Sequence, residues 1–293
     1  MFGQVTFCGL ELEHPIVNGS GTFDAIAARR AFGEELIERF PFSAFVSKTV
    51  TVEPRQGNPP PRLWEVAGGL INSIGLPNKG IERFLAEDLP QLARVPVPLI
   101  VNVMGFTRRQ VGELVRAVEE RDEVAAIELN VSCPNVDTGL MMGADPAEID
   151  ALLASVRPLT SKPLIVKLTP NATDPPAVAR AAERAGASAV SLINTLRGMA
   201  LDPVSGEPWL GGRTGGVSGA AIRPVALAQV SAVCSEVEIP VVGMGGVQSG
   251  SDALDLMRAG ATLVAVGTES FRDPAAGLRI ASELDLLLPN SAV

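Results

Sequence analysis

The chain has 293 residues, 46% of them hydrophobic and only 4% aromatic, and a formal net charge of -9. That acidic balance argues against a duplex- or tRNA-binding surface, because neutralising phosphates needs clustered Lys and Arg, so no nucleic-acid partner is expected. Cys8, Cys133 and Cys234 are too few and too scattered for a disulfide framework or a zinc site, which fits a reducing cytoplasm, and no apolar run approaches the roughly 18–20 residues that span a bilayer.

In chain order, residues 1–15 (MFGQVTFCGLELEHP) alternate in the manner of a short β-hairpin and lack the positive-then-apolar order of a signal peptide. Eight short apolar runs follow, at 15–19, 43–48, 98–103, 124–130, 163–168, 188–194, 239–243 and 262–266, each trailed by an Ala/Glu/Arg-rich stretch of helical period. Thr107 opens one such helix over 107–121, and Asp145-Pro146 caps another over 145–156. The spacing of the units, roughly 25–45 residues, closes a barrel more naturally than an open sheet. The expected fold is therefore α/β: a single (β/α)8 TIM barrel over residues 1–293 with an N-terminal β-hairpin. Long insertions interrupt it after strands 2 and 6, at 51–77 and 196–218, and excursions at the carboxyl ends of barrel strands usually build the substrate site.

Ser20, Lys48, Asn102, Asn130, Lys167, Asn194 and Thr195 all fall at strand ends, and Cys133 lies just beyond one. Taken singly, each could simply meet solvent. As a set they converge on one face and need partners that an apolar barrel interior cannot supply. A second cluster comes late in the chain: Gly215 to Gly219, Gly243 to Gly246, and Gly267-Thr268. Glycines there let backbone N–H groups approach a phosphate, at the position after strands 7 and 8 where barrels commonly hold one. Without a G-x-G-x-x-G joining strand to helix, a nicotinamide coenzyme is disfavoured and FMN is the better candidate, with Lys167 supplying positive charge near the flavin N1 edge. A colourless phosphate-binding barrel acting as lyase or isomerase, or a non-catalytic ligand-binding protein, would share this glycine pattern. Cys133 follows an apolar strand directly and would need nearby positive charge from Lys48 or Lys167 to act as a thiolate base, whereas Cys8 and Cys234 read as packing residues. Nucleophilic hydrolysis is the competing role for Cys133. The single histidine, His14, lies in the hairpin region and reads as structural.

The segments Asn58 to Arg62, Asn72 to Asn78, Leu129 to Asn135, Val166 to Asn171, Asn194-Thr195 and Gly215 to Gly219 resemble those of the class 1 dihydroorotate dehydrogenases, most closely the type 1B catalytic subunit, and the likeness runs essentially from end to end. The resemblance implies a cytoplasmic FMN enzyme, with one FMN per chain, that oxidises (S)-dihydroorotate to orotate in de novo pyrimidine (UMP) biosynthesis. Cys133 would take the C5 proton, with Lys48 and Lys167 as catalytic cations. By the same resemblance, Ser20, Lys48, Thr49, Asn102, Asn130, Lys167, Ile193, Gly219, Gly245, Gly246, Gly267 and Thr268 would hold FMN. Lys48, Asn72, Ser73, Ile74, Gly75, Leu76, Asn130, Asn135, Asn194 and Thr195 would hold the pyrimidine, under a lid formed by Val136 to Gly143. It further implies a homodimer joined by a partner subunit carrying FAD and an iron–sulfur cluster, making a heterotetramer linked to NAD, since this chain lacks cluster cysteines. Gly19, Asp24 and Ala220 depart from the usual Ala, Gly and Pro. Dihydropyrimidine-type dehydrogenases and tRNA dihydrouridine synthases also pair FMN with a cysteine, and the acidic balance counts against tRNA.

Overall fold

A computed structural model describes residues 4–131 and 142–288, and within them the eight apolar runs form eight strands. They are β1 (Ile16–Asn18), β2 (Phe45–Val46), β3 (Leu99–Val103), β4 (Ala126–Asn130), β5 (Leu164–Lys167), β6 (Ala189–Leu192), β7 (Val241–Met244) and β8 (Leu263–Val266). Each is shorter than the apolar run that announced it. Hydrogen-bonded neighbours run parallel in the order β2-β3-β4-β5-β6-β7-β8-β1, the sequence expected of a (β/α)8 barrel.

Because side chains alternate along a strand, every second residue enters the barrel. Low in the barrel these are apolar: Val17, Val46, Ile100, Ala126, Ile165, Ala189, Val242 and Leu263 form one buried cluster with Phe7 and Leu12. The last two come from the N-terminal hairpin, Val5–Phe7 paired antiparallel with Leu10–Leu12, which plugs the barrel's amino-terminal end. One step higher the inward residues turn polar, as Asn102 follows Ile100, Glu128 and Asn130 follow Ala126, Lys167 follows Ile165 and Ser191 follows Ala189. The opposite faces, including Val101, Ile127, Leu129, Val166, Val190 and Val264, pack against the surrounding helices.

Helices start where side chains can cap them. Thr107 accepts from Gln110 N (3.2 Å) ahead of Arg108–Glu119, and Asp145 accepts from Ala147 N (2.9 Å) ahead of Pro146–Val156. Ser249 and Asp252 form a reciprocal capping box for Gly250–Arg258. Asp24, where the related pattern carries Gly, is also a cap, accepting from Ala27 N (2.9 Å) ahead of Ala25–Phe32.

The seam between β1 and β2 is held differently from the other strand pairs. Ser43 N donates to Ile16 O (3.0 Å), and the Asn18 carboxamide then takes over from the ladder: Asn18 Nδ2 donates to Val46 O and Asn18 Oδ1 accepts from Val46 N, both at 2.8 Å. Outside this seam, Phe23, Phe40, Phe42 and Phe45 pack edge to face, with centroids 5.4–6.5 Å apart. Such pairs add about 0.5–1.5 kcal/mol each beyond simple burial. A chain poor in aromatics thus concentrates four of its ten phenylalanines where hydrogen bonding is sparse.

The two long insertions do more than lengthen loops. Leu63–Val66 and Gly69–Asn72 from the first combine with Leu196–Gly198 and Gly215–Ser218 from the second in one four-stranded antiparallel sheet. Trp64 on this sheet packs against Trp209, ring centroids 4.4 Å apart and ring planes tilted by 55°.

Replacing Asn18 by Ala should strand the buried N–H and C=O of Val46 and cost about 2–4 kcal/mol. A lowered thermal midpoint of the variant, measured with far-UV circular dichroism, checks this. An unchanged midpoint would show that packing alone closes the seam.

Candidate functional site

The polar residues at the carboxyl ends of the strands form a connected floor. Ser20, just past β1, donates through Oγ to Ser47 O (2.8 Å), and its hydroxyl lies 3.5 Å from Thr49 Oγ1. Thr49 Oγ1 in turn accepts from Asn130 Nδ2 of β4 (3.3 Å), so expected flavin ligands from three strands meet directly. Asn102 of β3 receives its backbone support from Ser47, whose Oγ accepts from Asn102 N (3.0 Å).

Two groups in this floor lack protein partners among the described residues. Lys167 ends β5 only 5% exposed, and its ammonium has no hydrogen bond or ion pair among the described residues. Asn102 is fully buried, and its Oδ1 has no hydrogen-bond partner among the described residues. Buried charges and carbonyls are ordinarily paired, because desolvation without compensation costs several kcal/mol for an ion and about 1–3 kcal/mol for an amide. A cation and an acceptor left open in one barrel mouth suit a ligand that offers both an electron-rich edge and an N–H donor. The isoalloxazine of FMN has both.

The insertions build a wall beside this floor. Asn72 Nδ2 donates to Gly216 O (3.1 Å), and the buried Ser73 Oγ accepts from Asn58 Nδ2 (2.8 Å). Ile74 O accepts from Asn58 N (3.0 Å) and Gly75 O from Arg55 Nε (3.3 Å), so residues 55–62 brace 72–76 from behind. Leu76 adopts a φ of 57°, a strained choice for a branched side chain. Past β6, Asn194 Oδ1 accepts from Thr195 N (2.8 Å), and Thr195 O accepts from Asn171 Nδ2 (3.1 Å). The expected pyrimidine ligands that are described therefore sit on two supports, the insertion sheet and the β6 exit.

The glycine clusters differ in part from the sequence reading. Gly215–Ser218 is a strand of the insertion sheet, and only Gly219 turns the chain into the helix Arg223–Cys234. Gly219 has a φ of 98°, and a Cβ there would lie 2.6 Å from Gly69 Cα. Gly246, after β7, has a φ of 75°, and a Cβ would reach 3.0 Å from Gly219 O. Gly245 stands beside Ile193, whose Cγ1 would be 3.2 Å from an added Cβ. Thr268, following Gly267 at the end of β8, donates through Oγ1 to Ser218 Oγ (2.9 Å). Gly219 and Gly246 are thus closely approached by backbone, and Thr268 joins their corner through Ser218, a grouping of glycine turns of the kind that phosphate groups occupy. Gly19, where the related pattern has Ala, meets no atom closer than 3.6 Å on addition of a Cβ and would accept the methyl.

Lys48 stands at the rim, exposed by surface area yet crowded enough that desolvation lowers its pKa below the usual lysine value; Asp24 opposes this shift and Arg62 adds to it. The half-buried Arg62 quoted in the sequence motif is therefore part of the mouth's electrostatics. His14 lies at the opposite, amino-terminal end, accepting from Ile16 N (3.2 Å), where burial lowers its pKa. Cys8 donates to Ser188 O (3.4 Å) at that same end, and burial raises both it and Cys234 to a pKa of about 11. Cys133, Asn135 and the lid residues Val136 to Met141 lie outside the described residues; Gly143, at the lid's far end, donates to Val131 O (3.0 Å).

One residue of the floor escaped the sequence reading. Glu128 is 4% exposed inside the barrel and accepts from Asn102 Nδ2 and from Ser191 Oγ (2.7 Å). The signal was present: an acid two residues before Asn130 in an apolar strand shares Asn130's inward face.

Comparison with known proteins agrees with this geometry. Residues 3–288 match the family model described as Dihydroorotate dehydrogenase. The chain is 46% identical over 293 residues to the "Dihydroorotate dehydrogenase B (NAD(+)), catalytic subunit" of Pelobacter propionicus, covering 99% of this chain and 94% of that protein. It is 44% identical to the protein of the same name from Geobacter metallireducens, with 99% and 94% covered, and 44% identical to that of Citrifermentans bemidjiense, with 97% and 92% covered. With a barrel of the expected order, a matched family model over nearly its whole length and relatives this close, the chain belongs to the dihydroorotate dehydrogenase family.

Proposed function

We propose that this chain is an FMN-dependent catalytic subunit, one domain over residues 1–293, that oxidises (S)-dihydroorotate to orotate in de novo pyrimidine biosynthesis. The observation that carries the reading is the pair of open groups in the mouth, the ammonium of Lys167, a residue only 5% exposed, and the buried Asn102 Oδ1, neither with a partner among the described residues. Ser20, Lys48, Thr49, Asn102, Asn130, Lys167 and Ile193 would hold the flavin ring and its ribityl chain. Gly219, Gly245, Gly246, Gly267 and Thr268 would hold its phosphate. Bound there, FMN supplies a two-electron acceptor for the hydride that leaves C6 of the substrate.

The protein's own groups handle binding and the proton. Amides of Asn72, Asn130, Asn135 and Asn194 each donate and accept, matching the alternating N–H and C=O edge of a pyrimidine. Lys48 pairs with the substrate carboxylate, a partner that offsets the cost of its desolvation. Cys133 removes the acidified C5 proton as the C5–C6 double bond forms, with positioning rather than raw basicity carrying the rate.

We further propose NAD as the final acceptor, reached through a partner subunit with FAD and an iron–sulfur cluster, in a cytoplasmic heterotetramer built on a homodimer of this chain. The printed names of the relatives, each an NAD(+)-linked catalytic subunit, support this. Exposed Leu63, Met199 and Leu201 on and beside the insertion sheet support a protein contact there. Among the described residues no helix is long and apolar enough to cross a membrane.

The purified chain should be yellow, and dihydroorotate should bleach its flavin absorbance under anaerobic conditions; a colourless preparation that neither binds FMN nor turns over refutes the assignment. Cys133→Ser should keep bound flavin yet slow its reduction by about two orders of magnitude or more, read by stopped-flow absorbance. Iodoacetamide at neutral pH should modify Cys133 well ahead of the others, since thiols with pKa values of about 11 are scarcely ionised, and peptide mapping checks the order. Orotate affinity, measured in Cys133→Ser to remove the thiol's own titration, should weaken as pH rises through the lowered pKa of Lys48, because the ligand binds the protonated amine. Lys48→Met should bind weakly at every pH and lack that slope.

A further inference from the structure

The barrel interior holds a carboxylate to which the proposed chemistry gives no task. Glu128 projects inward from the middle of β4, one oxygen accepting from Ser191 Oγ (2.7 Å) and the other from Asn102 Nδ2. No Lys, Arg or His among the described residues lies within 4.0 Å of it, so this is a buried acid without a counter-ion. Such a group costs stability relative to an apolar side chain of similar size, and two neutral donors recover only part of that cost.

What the acid does follows from hydrogen-bonding inventory. The Asn102 atom facing the acid is its Nδ2, which donates to one of the carboxyl oxygens. The carboxamide's other end, Oδ1, is thereby turned away from Glu128, and it is the atom buried without a partner among the described residues. Left to itself a carboxamide could present either end to a ligand. Held by Glu128, it presents an acceptor only. Oxidised isoalloxazine has a single ring N–H, the imide at N3.

We propose that Glu128 is a positioning residue for the flavin, locking the Asn102 amide so that Oδ1 is a fixed acceptor for the imide N–H. Ser191 completes the lock by occupying the second carboxylate oxygen, which leaves Glu128 no freedom to follow Asn102 if the amide turns. This inference rests on the FMN reading above.

The test compares binding of FMN and of 3-methyl-FMN, which lacks the imide N–H, to the flavin-free full-length chain by flavin fluorescence, alongside the thermal midpoint of each flavin-free variant. The parent chain should prefer FMN by about tenfold, the worth of one well-formed hydrogen bond. Glu128→Leu should bind FMN about tenfold more weakly and lose most of that preference. Glu128→Gln, of nearly the same shape, lets the Asn102 amide sit either way and should give an intermediate preference at an unchanged midpoint. In an Asn102→Leu background, Glu128→Leu should have no further effect on the preference. A parent chain that binds both flavins equally, or Gln and Leu variants that keep the full preference, overturns the role of Glu128 while leaving the flavin reading intact. Equal loss of affinity for both flavins, tracking a lowered midpoint, marks Glu128 as merely structural and overturns it too. Failure of the parent chain to bind FMN at all sinks the flavin reading itself.

Discussion

The carboxamide of Asn18, bonded at once to the N–H and the C=O of Val46, joins the first and second strands where the ladder between them is thinnest. Inward residues of a parallel sheet face one another only if the sheet closes, so the geometry of the mouth depends on this joint. Ser20 and Thr49 lie within a few residues of it on either side, and Thr49 passes the connection to Asn130 on β4. A side chain standing in for ladder bonds also spares the seam a long paired strand, which β2, two residues long, could not provide.

Along the barrel axis the interior changes from hydrocarbon to polar within one step of the alternating pattern. The lower layer with its hairpin plug supplies stability, through aliphatic side chains that each contribute roughly 1.5–3 kcal/mol on burial. The upper layer spends some of it, since Lys167, Glu128 and the buried asparagines would each be replaced by apolar residues if stability were the only demand. The β7 and β8 side of the same interior stays apolar, with Val242, Met244, Leu263 and Ala265, and gives way above to glycine turns. Polar side chains thus line one side of the mouth and bare backbone the other, the division that the proposed flavin ring and phosphate would need.

The two insertions tie these halves together. The strand Gly215–Ser218 pairs with Gly69–Asn72 on one side and reaches Thr268, beside the glycine turns, through Ser218. On the same sheet, Asn72 belongs to the expected pyrimidine set. One antiparallel sheet thus links the expected pyrimidine wall to the glycine turns, with the exposed apolar residues Leu63 on it and Met199 beside it.

The sequence by itself was enough for the order of the barrel, because period-2 apolar runs and period-3.6 helices are local properties, and for most of the mouth, because Ser20, Asn102, Asn130 and Lys167 of the floor and Lys48 of the rim sit at strand ends where only one face collects them. Caps such as Thr107 and Asp145 were legible for the same reason, being set by residues one turn apart. Tertiary structure alone decided that the insertions at 51–77 and 196–218 pair with each other, that Gly215–Ser218 is strand rather than phosphate turn, and that Asn18 closes the barrel. Each of these joins residues separated by tens to more than a hundred positions, and nothing in a local pattern names a distant partner. Glu128 lay between the two kinds of knowledge: its inward direction could be read from Asn130, but the donors that give it a purpose come from β3 and β6, and only the closed barrel brings them within hydrogen-bonding distance.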